Sequence, residues 1–238
     1  MKILIALPVY NEEIILAKNV QTVLGFCRSN LVNDDFIIII ANNNSTDQTA
    51  KIADELSLQN QELKHLFINQ KGKGLAISSA WQKYEADLYC FMDADLATDL
   101  SALLEATRAI QLGVDLAIGS RFHPQSQVER SWQRRFVSQC YRLFFKTLFN
   151  LKINDFPCGF KMITRQVRDQ VLQNILNKGF FWDTEMLVLA DKQNFKIVEI
   201  PVIWREKNDQ NRKSHVSIIK TSLSYIKESI LLKIRLSK

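Results

Sequence analysis

The first half of the chain alternates short apolar runs with longer stretches of helical periodicity. The run over residues 36–40 is continuous in phenylalanine and isoleucine, which is typical of a strand buried on both faces of a parallel sheet. Repeated strand–helix–strand units with short connections predict an α/β fold with a mostly parallel sheet flanked by helices. The predicted strands span residues 3–7, 36–40, 63–68, 88–92 and 114–118, and the predicted helices span residues 11–27, 45–56, 73–84 and 100–110.

After residue 121 the pattern changes to longer amphipathic helices with fewer strands. Residues 131–149 predict a helix with an aromatic face and a basic face, and residues 216–236 predict a final helix with an isoleucine-rich stripe. Between them we expect strands over residues 159–163 and 195–202 and helices over residues 165–176 and 184–192. Because no linker or repeat divides the chain, we expect one domain over residues 1–238 with C-terminal amphipathic helices.

Composition and charge narrow the partners of the chain. A formal net charge of +6 fits anionic partners such as nucleotides and phospholipid headgroups, and no nucleic-acid-binding module is recognisable. The four cysteines form no CxxC pair, which favours free thiols in a reducing cytoplasm over zinc sites or disulfides. No signal peptide is visible and no apolar run reaches the ~18 to 20 residues of a membrane span. We therefore expect a cytoplasmic protein whose membrane contact is peripheral.

Two carboxylates follow the predicted strand 88–92, at Asp93 and Asp95. Ligands of such sheets bind at the carboxyl ends of the strands. Paired carboxylates there suit a hard divalent cation, Mg²⁺ or Mn²⁺, whose other coordination positions are filled by phosphate oxygens. A solvated acidic turn is the alternative interpretation.

A polar segment, residues 41–49, connects the second predicted strand to its helix. Ser45 or Asn44 is expected to cap that helix, with Asp47 in its first turn. Asn42 and Asn43 are additionally placed to hydrogen-bond the edge of a nucleotide base.

Residues 70–74, Q-K-G-K-G, open the next predicted helix. Glycine lets the backbone approach a ligand and lysine favours phosphate, which makes Lys73 and Gly74 candidate phosphate-binding residues. The spacing differs from a P-loop, and an exposed glycine-rich turn is the alternative.

These segments occur in an ordered set that resembles a known family. P-V-Y-N-E at residues 8–12 comes first, followed by N-N-S-T-D, K-G-K-G, D-A-D and G-S-R. The second half adds D-x-x-C-G-F-K from Asp155, a W-D-T-E-M-L segment from Trp182 and E-x-P-V from Glu199. The set resembles family-2 glycosyltransferases with the GT-A fold, and in particular the branch of dolichyl- and polyprenyl-phosphate mannose and glucose synthases.

The resemblance implies transfer of a hexose, with inversion, from a UDP-glucose- or GDP-mannose-type donor to a polyprenyl phosphate. Asp93 and Asp95 would bind Mg²⁺ or Mn²⁺ and, with Arg121, act in catalysis. Residues 1–121 would bind the donor and residues 122–238 the acceptor. The implied donor-binding residues are Pro8, Tyr10, Asn11, Glu12, Asn42, Asn43, Asp47, Lys73, Gly74 and Asp93. The implied acceptor-phosphate ligands are Arg121, Arg134, Ser138 and Lys213.

Three positions depart from the family pattern. Relatives often carry aspartate where Asn42 stands, which leaves the identity of the donor open. Mannose synthases of this group often place glutamine at the position of Ala97, and His215 replaces a basic residue in the segment expected to close over the site.

The acceptor class can be argued from its chemistry. A hydroxyl acceptor needs a general base, whereas a phosphate monoester is largely anionic near neutrality and needs cations such as Arg121, Arg134 and Arg135. Asp183 or Glu185 would be the base if the acceptor were a sugar hydroxyl of a growing polysaccharide, and otherwise a cap and a first-turn acid. Asp155 is expected to pair with a nearby arginine. A nucleotide-sugar-binding protein that has lost catalysis is a further alternative.

A lipid acceptor requires contact with a membrane surface. The helix over residues 131–149 combines aromatic and basic residues as interfacial helices do, and the C-terminal helix is a second candidate. Packing onto the sheet, a homodimer interface or a membrane-protein partner are the alternatives for both.

Overall fold

A seven-stranded sheet forms the centre of the computed structural model, which describes residues 1–129, 132–206 and 218–237. The strands lie in the order β3-β2-β1-β4-β7-β5-β8. Their bounds are β1 Lys2–Val9, β2 Asp35–Asn43, β3 Leu63–Ile68, β4 Leu88–Met92, β5 Leu116–Ser120, β7 Phe160–Thr164 and β8 Ile197–Pro201. A separate two-stranded sheet pairs β6 (Gln127–Glu129) with β9 (Ile203–Arg205).

Parallel pairing dominates the sheet, as the strand–helix alternation predicts. β1 pairs in parallel with β2 and β4, and β2 with β3, through the crossover helices α1 (Leu16–Asn30), α2 (Thr49–Gln59) and α3 (Lys73–Lys83). Alternate residues of β1 enter different clusters, with Ile3 and Ile5 in one core and Leu4 in the other. Burial on both faces explains why the strands read as continuous apolar runs.

β7 is the exception, because it lies antiparallel between β4 and β5. Its reversed direction pairs Phe160, at its start, with Met92, at the end of β4. The turn that precedes β7 therefore lies against the carboxyl end of β4, where Asp93 follows.

Five further helices complete the described chain. They are α4 (Ser101–Gln111), α5 (Trp132–Phe149), α6 (Arg165–Val171), α7 (Trp182–Lys192) and α8 (Ile218–Leu236). A 3₁₀ turn, Leu172–Asn174, continues α6, so the predicted helix over residues 165–176 is shorter than expected. α5 packs on α8 through ring contacts of Tyr141 and Phe145 with Tyr225. The first two residues of the predicted helix 216–236 lie outside the described residues.

Helix starts near the site differ from the prediction. α1 begins at Leu16 rather than residue 11, and α2 begins at Thr49 rather than residue 45. The predicted capping by Ser45 or Asn44 is wrong: Gln48 is the N-cap and makes no side-chain cap bond. Asn44 has a φ of 58°, in the left-handed region, so a right-handed helix cannot begin there.

Candidate active site

The loops after β1 and β2 are joined into one polar rim. The Ser45 hydroxyl accepts the Asn11 backbone N–H at 3.0 Å, and Asp47 accepts the N–H groups of Glu13 and Thr49. Burial would raise the pKa of Asp47, but these hydrogen bonds outweigh it and lower the pKa. Asp47 thus holds the rim in place from just before α2, rather than from its first turn as predicted.

Tyr10 and Lys71 form the outer edge of this rim. The Lys71 ammonium donates to the Tyr10 hydroxyl at 2.5 Å and lies 4.5 Å from the centre of the Tyr10 ring. Glu12 is anchored by its backbone N–H, which donates to the Thr49 hydroxyl at 2.8 Å. Pro8 lies inside β1, in register with Ala41. The rim therefore offers an aromatic ring and a cation at the mouth of the site.

Asn42 lies beneath the rim, with no exposed surface. Its Oδ1 accepts the Ser45 N–H at 3.0 Å, and its Nδ2 lies 3.3 Å from His65 Nε2. His65 Nδ1 in turn contacts Asp54 Oδ1 at 2.7 Å. The structure therefore gives Asn42 a place in shaping the loop, and its direct contact with a base stays a prediction.

Asn43 connects the rim to the next strand end. Its Oδ1 accepts the backbone N–H of Gly72 at 2.6 Å, just before α3 begins at Lys73. From that position the Lys73 ammonium lies 2.6 Å from Asp93 Oδ1. Burial would lower the pKa of Lys73, but the charges of Asp93, Asp183 and Asp95 raise it, so Lys73 is a permanent cation of the site.

Gly74 has a packing role in the structure, and its predicted phosphate-binding role stays a prediction. Its N–H donates to the Gly179 carbonyl at 3.2 Å, and the Leu75 N–H donates to the Lys178 carbonyl at 3.0 Å. A Cβ at Gly74 would lie 2.3 Å from the Cβ of Trp182. The amide groups at the start of α3 are thus used within the protein, because the chain before α7 passes directly over them.

Asp93 and Asp95 stand at the carboxyl end of β4. The Asp93 N–H donates to the Gly159 carbonyl at 2.9 Å, and a Cβ at Gly159 would lie 2.0 Å from Asp93 Oδ2. Gly159 therefore leaves the space that the Asp93 carboxylate fills. Asp95 Oδ1 accepts the Ala97 N–H at 3.1 Å, and the Asp93 side chain is 41% exposed.

The two carboxylates fit a divalent cation as part of its ligand set. Carboxylate oxygens are the ligands that Mg²⁺ and Mn²⁺ prefer, and the Gly159 cradle keeps Asp93 at the open end of the sheet. The described residues contain no group of three or more histidine, cysteine, aspartate or glutamate side chains with metal-site spacing. A cation here would take its remaining ligands from a bound substrate or water.

Arg121 and Asp155 form a buried ion pair. Asp155 accepts from the Arg121 backbone N–H at 2.8 Å, from Nε at 2.8 Å and from Nη2 at 2.7 Å. Burial would raise the pKa of the fully buried Asp155, but the charge and hydrogen bonds of Arg121 hold it below its ordinary value. The expected pairing of Asp155 with an arginine is confirmed. Arg121 also lies 5.6 Å from the centre of the Trp204 ring.

A cavity of about 450 Å³ opens beside Arg121. Ser138, which is buried, and Arg135 reach it from α5. The lining residues are Arg121, Phe122, Ser126, Val128, Arg135, Ser138 and Gln139. Arg135 was expected as one of the cations near a phosphate acceptor, and its i,i+3 spacing from Ser138 places both on one helix face. The side chain of Arg134, and all of Lys213 and His215, lie outside the described residues.

Asp183 and Glu185 lie in the first turn of α7 and are both buried. Glu185 accepts the N–H groups of Leu176 and Asn177 and pairs with Arg235 at 2.6 Å, so it fixes a loop to α8. Asp183 Oδ2 lies 3.3 Å from the ammonium of the fully buried Lys161. Its Oδ1 has no hydrogen-bond partner among the described residues.

The fold defines the class of this protein. A mostly parallel seven-stranded sheet flanked by helices matches the GT-A fold of glycosyltransferases. Glucosyl-3-phosphoglycerate synthase from Mycobacterium tuberculosis in complex with UDP has the same fold, with a TM-score of 0.69 over 98% of this chain and 80% of that chain at 15% identity. Mannosyl-3-phosphoglycerate synthase from Rubrobacter xylanophilus also reaches a TM-score of 0.69, over 100% of this chain and 75% of its own, at 14% identity.

Sequence comparison identifies the family. The model of glycosyl transferase family 2 matches residues 4–172, which is more than half of the chain, and the chain belongs to that family. The predicted family and fold are thus confirmed.

Curated relatives sharpen the comparison. Glycosyltransferase AglD of Haloferax volcanii is 31% identical over 211 residues, which cover 88% of this chain but 34% of that protein. Polyprenol monophosphomannose synthase of Mycolicibacterium smegmatis is 27% identical over 95% of this chain and 83% of its own length. Dolichyl-phosphate beta-glucosyltransferase of Saccharomyces cerevisiae is 29% identical over 85% of this chain and 66% of that protein. The chain thus spans from about a third to most of the length of these relatives.

Proposed function

We propose that this protein transfers a hexose from a nucleoside-diphosphate sugar to a polyprenyl phosphate, with inversion at the sugar. One observation carries the choice of acceptor: the described residues that line the cavity beside Arg121 include two arginines and no aspartate or glutamate. A hydroxyl acceptor needs a base at that place, whereas a phosphate monoester is already anionic and needs cations. The names of the relatives from M. smegmatis and S. cerevisiae support the same acceptor class.

In the proposed reaction the donor and the acceptor meet at the carboxyl ends of β4 and β5. Asp93 follows β4 and Arg121 follows β5, with only β7 between the two strands. Adjacent strands lie about 4.8 Å apart, so the backbones at the two strand ends lie roughly 10 Å apart. That spacing accommodates a hexose with its diphosphate on one side and an attacking phosphate on the other. In this proposal residues 1–121 hold the donor, and residues 122–238 hold the acceptor together with Arg121, the last residue of the donor half.

On the donor side, Tyr10 and Lys71 would contact the nucleotide and Lys73 would contact the diphosphate. Asp93 and Asp95 would hold Mg²⁺ or Mn²⁺, and the bound cation would neutralise charge on the leaving diphosphate. Crystals of glucosyl-3-phosphoglycerate synthase with Mn²⁺ and UDP-glucose support a divalent cation in this fold. On the acceptor side, Arg121, Arg135 and Ser138 would orient the phosphate and offset its repulsion from the donor.

The acceptor lipid would reach the site from a membrane surface. None of the helices in the described part of the chain is long and apolar enough to cross a bilayer. α5 nevertheless exposes Trp132 (76%) and Leu143 (69%), and the adjacent α8 exposes Leu223 (65%) and Ile230 (48%). Arg135 follows Trp132 by three residues and Lys227 follows Leu223 by four, so each apolar face has an exposed basic residue one turn away, which suits an anionic bilayer. We propose that they contact the cytoplasmic face of a membrane.

A radiolabel transfer assay tests the proposal. The purified protein receives labelled UDP- and GDP-sugars, Mg²⁺ or Mn²⁺, and one acceptor at a time: a polyprenyl phosphate, a free polyprenol, an oligosaccharide or 3-phosphoglycerate. We expect label in lipid only with the polyprenyl phosphate, and loss of it with EDTA or Asp95→Asn. Label in an oligosaccharide or in glucosyl-phosphoglycerate, with none in lipid, refutes the proposed acceptor.

The hydroxyl-acceptor alternative has one observation in its favour. Asp183 carries a buried Oδ1 without a hydrogen-bond partner among the described residues, and such an oxygen could accept a proton. If Asp183 were that base, Asp183→Asn would abolish transfer to a hydroxyl acceptor. Binding of a donor without turnover toward any acceptor or water would instead favour a protein that has lost catalysis.

A further inference from the structure

We propose that Glu199 and Asn154 are positioning residues for Arg121, which act by fixing the turn that carries Asp155. This inference rests on the proposed function, because it assigns Arg121 to the acceptor phosphate. Glu199 belongs to the E-x-P-V segment of β8, to which the proposed reaction gives no role.

Glu199 is fully engaged by the turn at residues 154–155. Its Oε1 accepts the backbone N–H groups of Asn154 at 2.9 Å and Asp155 at 3.0 Å, and its Oε2 accepts Asn154 Nδ2 at 2.5 Å. The other end of the Asn154 amide accepts the ammonium of Lys146, in α5, at 2.8 Å. The turn is therefore held from the sheet on one side and from α5 on the other.

The position of this turn determines the orientation of Arg121. Asp155 receives three hydrogen bonds from Arg121, and these fix Nε and Nη2 of the guanidinium while the side chain lines the cavity. The same helix that supplies Lys146 also supplies Ser138 and Arg135 to that cavity. The network thus fixes the two walls of the proposed phosphate site, Arg121 and the α5 residues, relative to each other. A shift of the turn would move the guanidinium, because a buried arginine follows its carboxylate.

The polarity of the network permits a rescue experiment. In Glu199→Gln, the new amide nitrogen faces Asn154 Nδ2, so two donors oppose each other. Asn154 cannot rotate its amide to present Oδ1 to position 199, because it would then lose the hydrogen bond from the Lys146 ammonium. In Asn154→Asp, two carboxylates face each other. In the double variant, the amide introduced at position 199 donates to the carboxylate introduced at position 154, and that carboxylate still accepts from Lys146. The net charge of the double variant equals that of the wild type.

Two measurements test the wild type and the three variants, with Glu105→Gln, a half-exposed glutamate of α4, as the matched control. Titration calorimetry with farnesyl phosphate gives the acceptor dissociation constant without turnover, and the transfer assay gives KM for each substrate. We expect each single variant to raise the dissociation constant and acceptor KM by about tenfold, with donor KM unchanged, and the double variant to recover most of the loss. Glu105→Gln should match the wild type.

The outcomes separate this inference from the proposed function. If the wild type binds and transfers, and every variant has the same acceptor dissociation constant and acceptor KM, the positioning role alone is overturned. Weaker acceptor binding in the single variants, without recovery in the double variant, would also overturn it. General destabilisation would give that result, because it does not depend on which group donates each hydrogen bond. Binding of farnesyl phosphate with loss and rescue, but no transfer, would refute the proposed reaction and support the positioning role. Absence of binding by the wild type would overturn both.

Discussion

The Lys73 ammonium lies 2.6 Å from Asp93 Oδ1, which joins the start of α3 to the end of β4. These two segments follow β3 and β4, which are separated in the sheet by β2 and β1, and the ion pair connects them at the point where the proposed donor diphosphate lies. Because the pKa of Lys73 is raised, this cation persists throughout the pH range in which the enzyme would work.

Replacement of Lys73 by methionine removes the charge but keeps the length of the side chain. We expect Lys73→Met to lower kcat/KM for the donor by about 10²-fold, because a fixed cation that stabilises the leaving diphosphate is lost. Steady-state kinetics with the donor as the varied substrate measure the change. Lys51→Met, an exposed lysine of α2, is the matched control. A Lys73→Met variant with wild-type kcat/KM would exclude Lys73 from the donor site.

Gly74 tests the packing between α3 and α7. A methyl group there would lie 2.3 Å from the Cβ of Trp182, so we expect Gly74→Ala to destabilise the protein by about 1–3 kcal/mol or more. Gly25 is the control, because it lies exposed in α1 with no heavy atom within 4 Å of an added Cβ. Gly25→Ala should stabilise by roughly 0.5–1 kcal/mol through helix propensity. Urea unfolding measures both, and equal effects would contradict the contact with Trp182.

The same position shows where sequence reasoning ends. Buried parallel strands have a local signature, and the paired carboxylates after β4 are visible in the sequence because they follow such a strand directly. The contact of Gly74 with Trp182, the contact of Asn42 with His65 and the pairing of Arg121 with Asp155 join residues far apart in the chain. Local periodicity carries no record of such contacts, so the packing of Gly74 against Trp182 was not predicted.

Thiol reactivity distinguishes the four cysteines. Cys140 is exposed on α5, whereas Cys27, Cys90 and Cys158 are buried. Burial raises the pKa of Cys27 to about 12 and of Cys158 to about 11, so these thiols stay protonated and unreactive. We expect one thiol to react rapidly with a chromogenic disulfide at pH 8 and the rest to react only in denaturant. Rapid labelling that persists in Cys140→Ser would show that one of the buried cysteines is accessible.

Asp155 provides a stability prediction with a definite pH sign. Its pKa is lower in the folded protein than the ordinary value of about 3.9, so its contribution is fully present above that value and is lost as pH falls through the folded pKa. At pH 7, Asp155→Asn leaves the buried Arg121 without its carboxylate, and we expect a loss of roughly 3–5 kcal/mol. Urea unfolding between pH 3 and pH 7 measures both effects.

The free energy of unfolding of the wild type should fall below about pH 4, and the difference in that free energy between wild type and variant should narrow there. Asp191→Asn, an exposed aspartate at the end of α7, should follow the wild type at every pH. A constant difference between Asp155→Asn and wild type down to pH 3 would show that the Asp155 carboxylate titrates alike in the folded and unfolded chains.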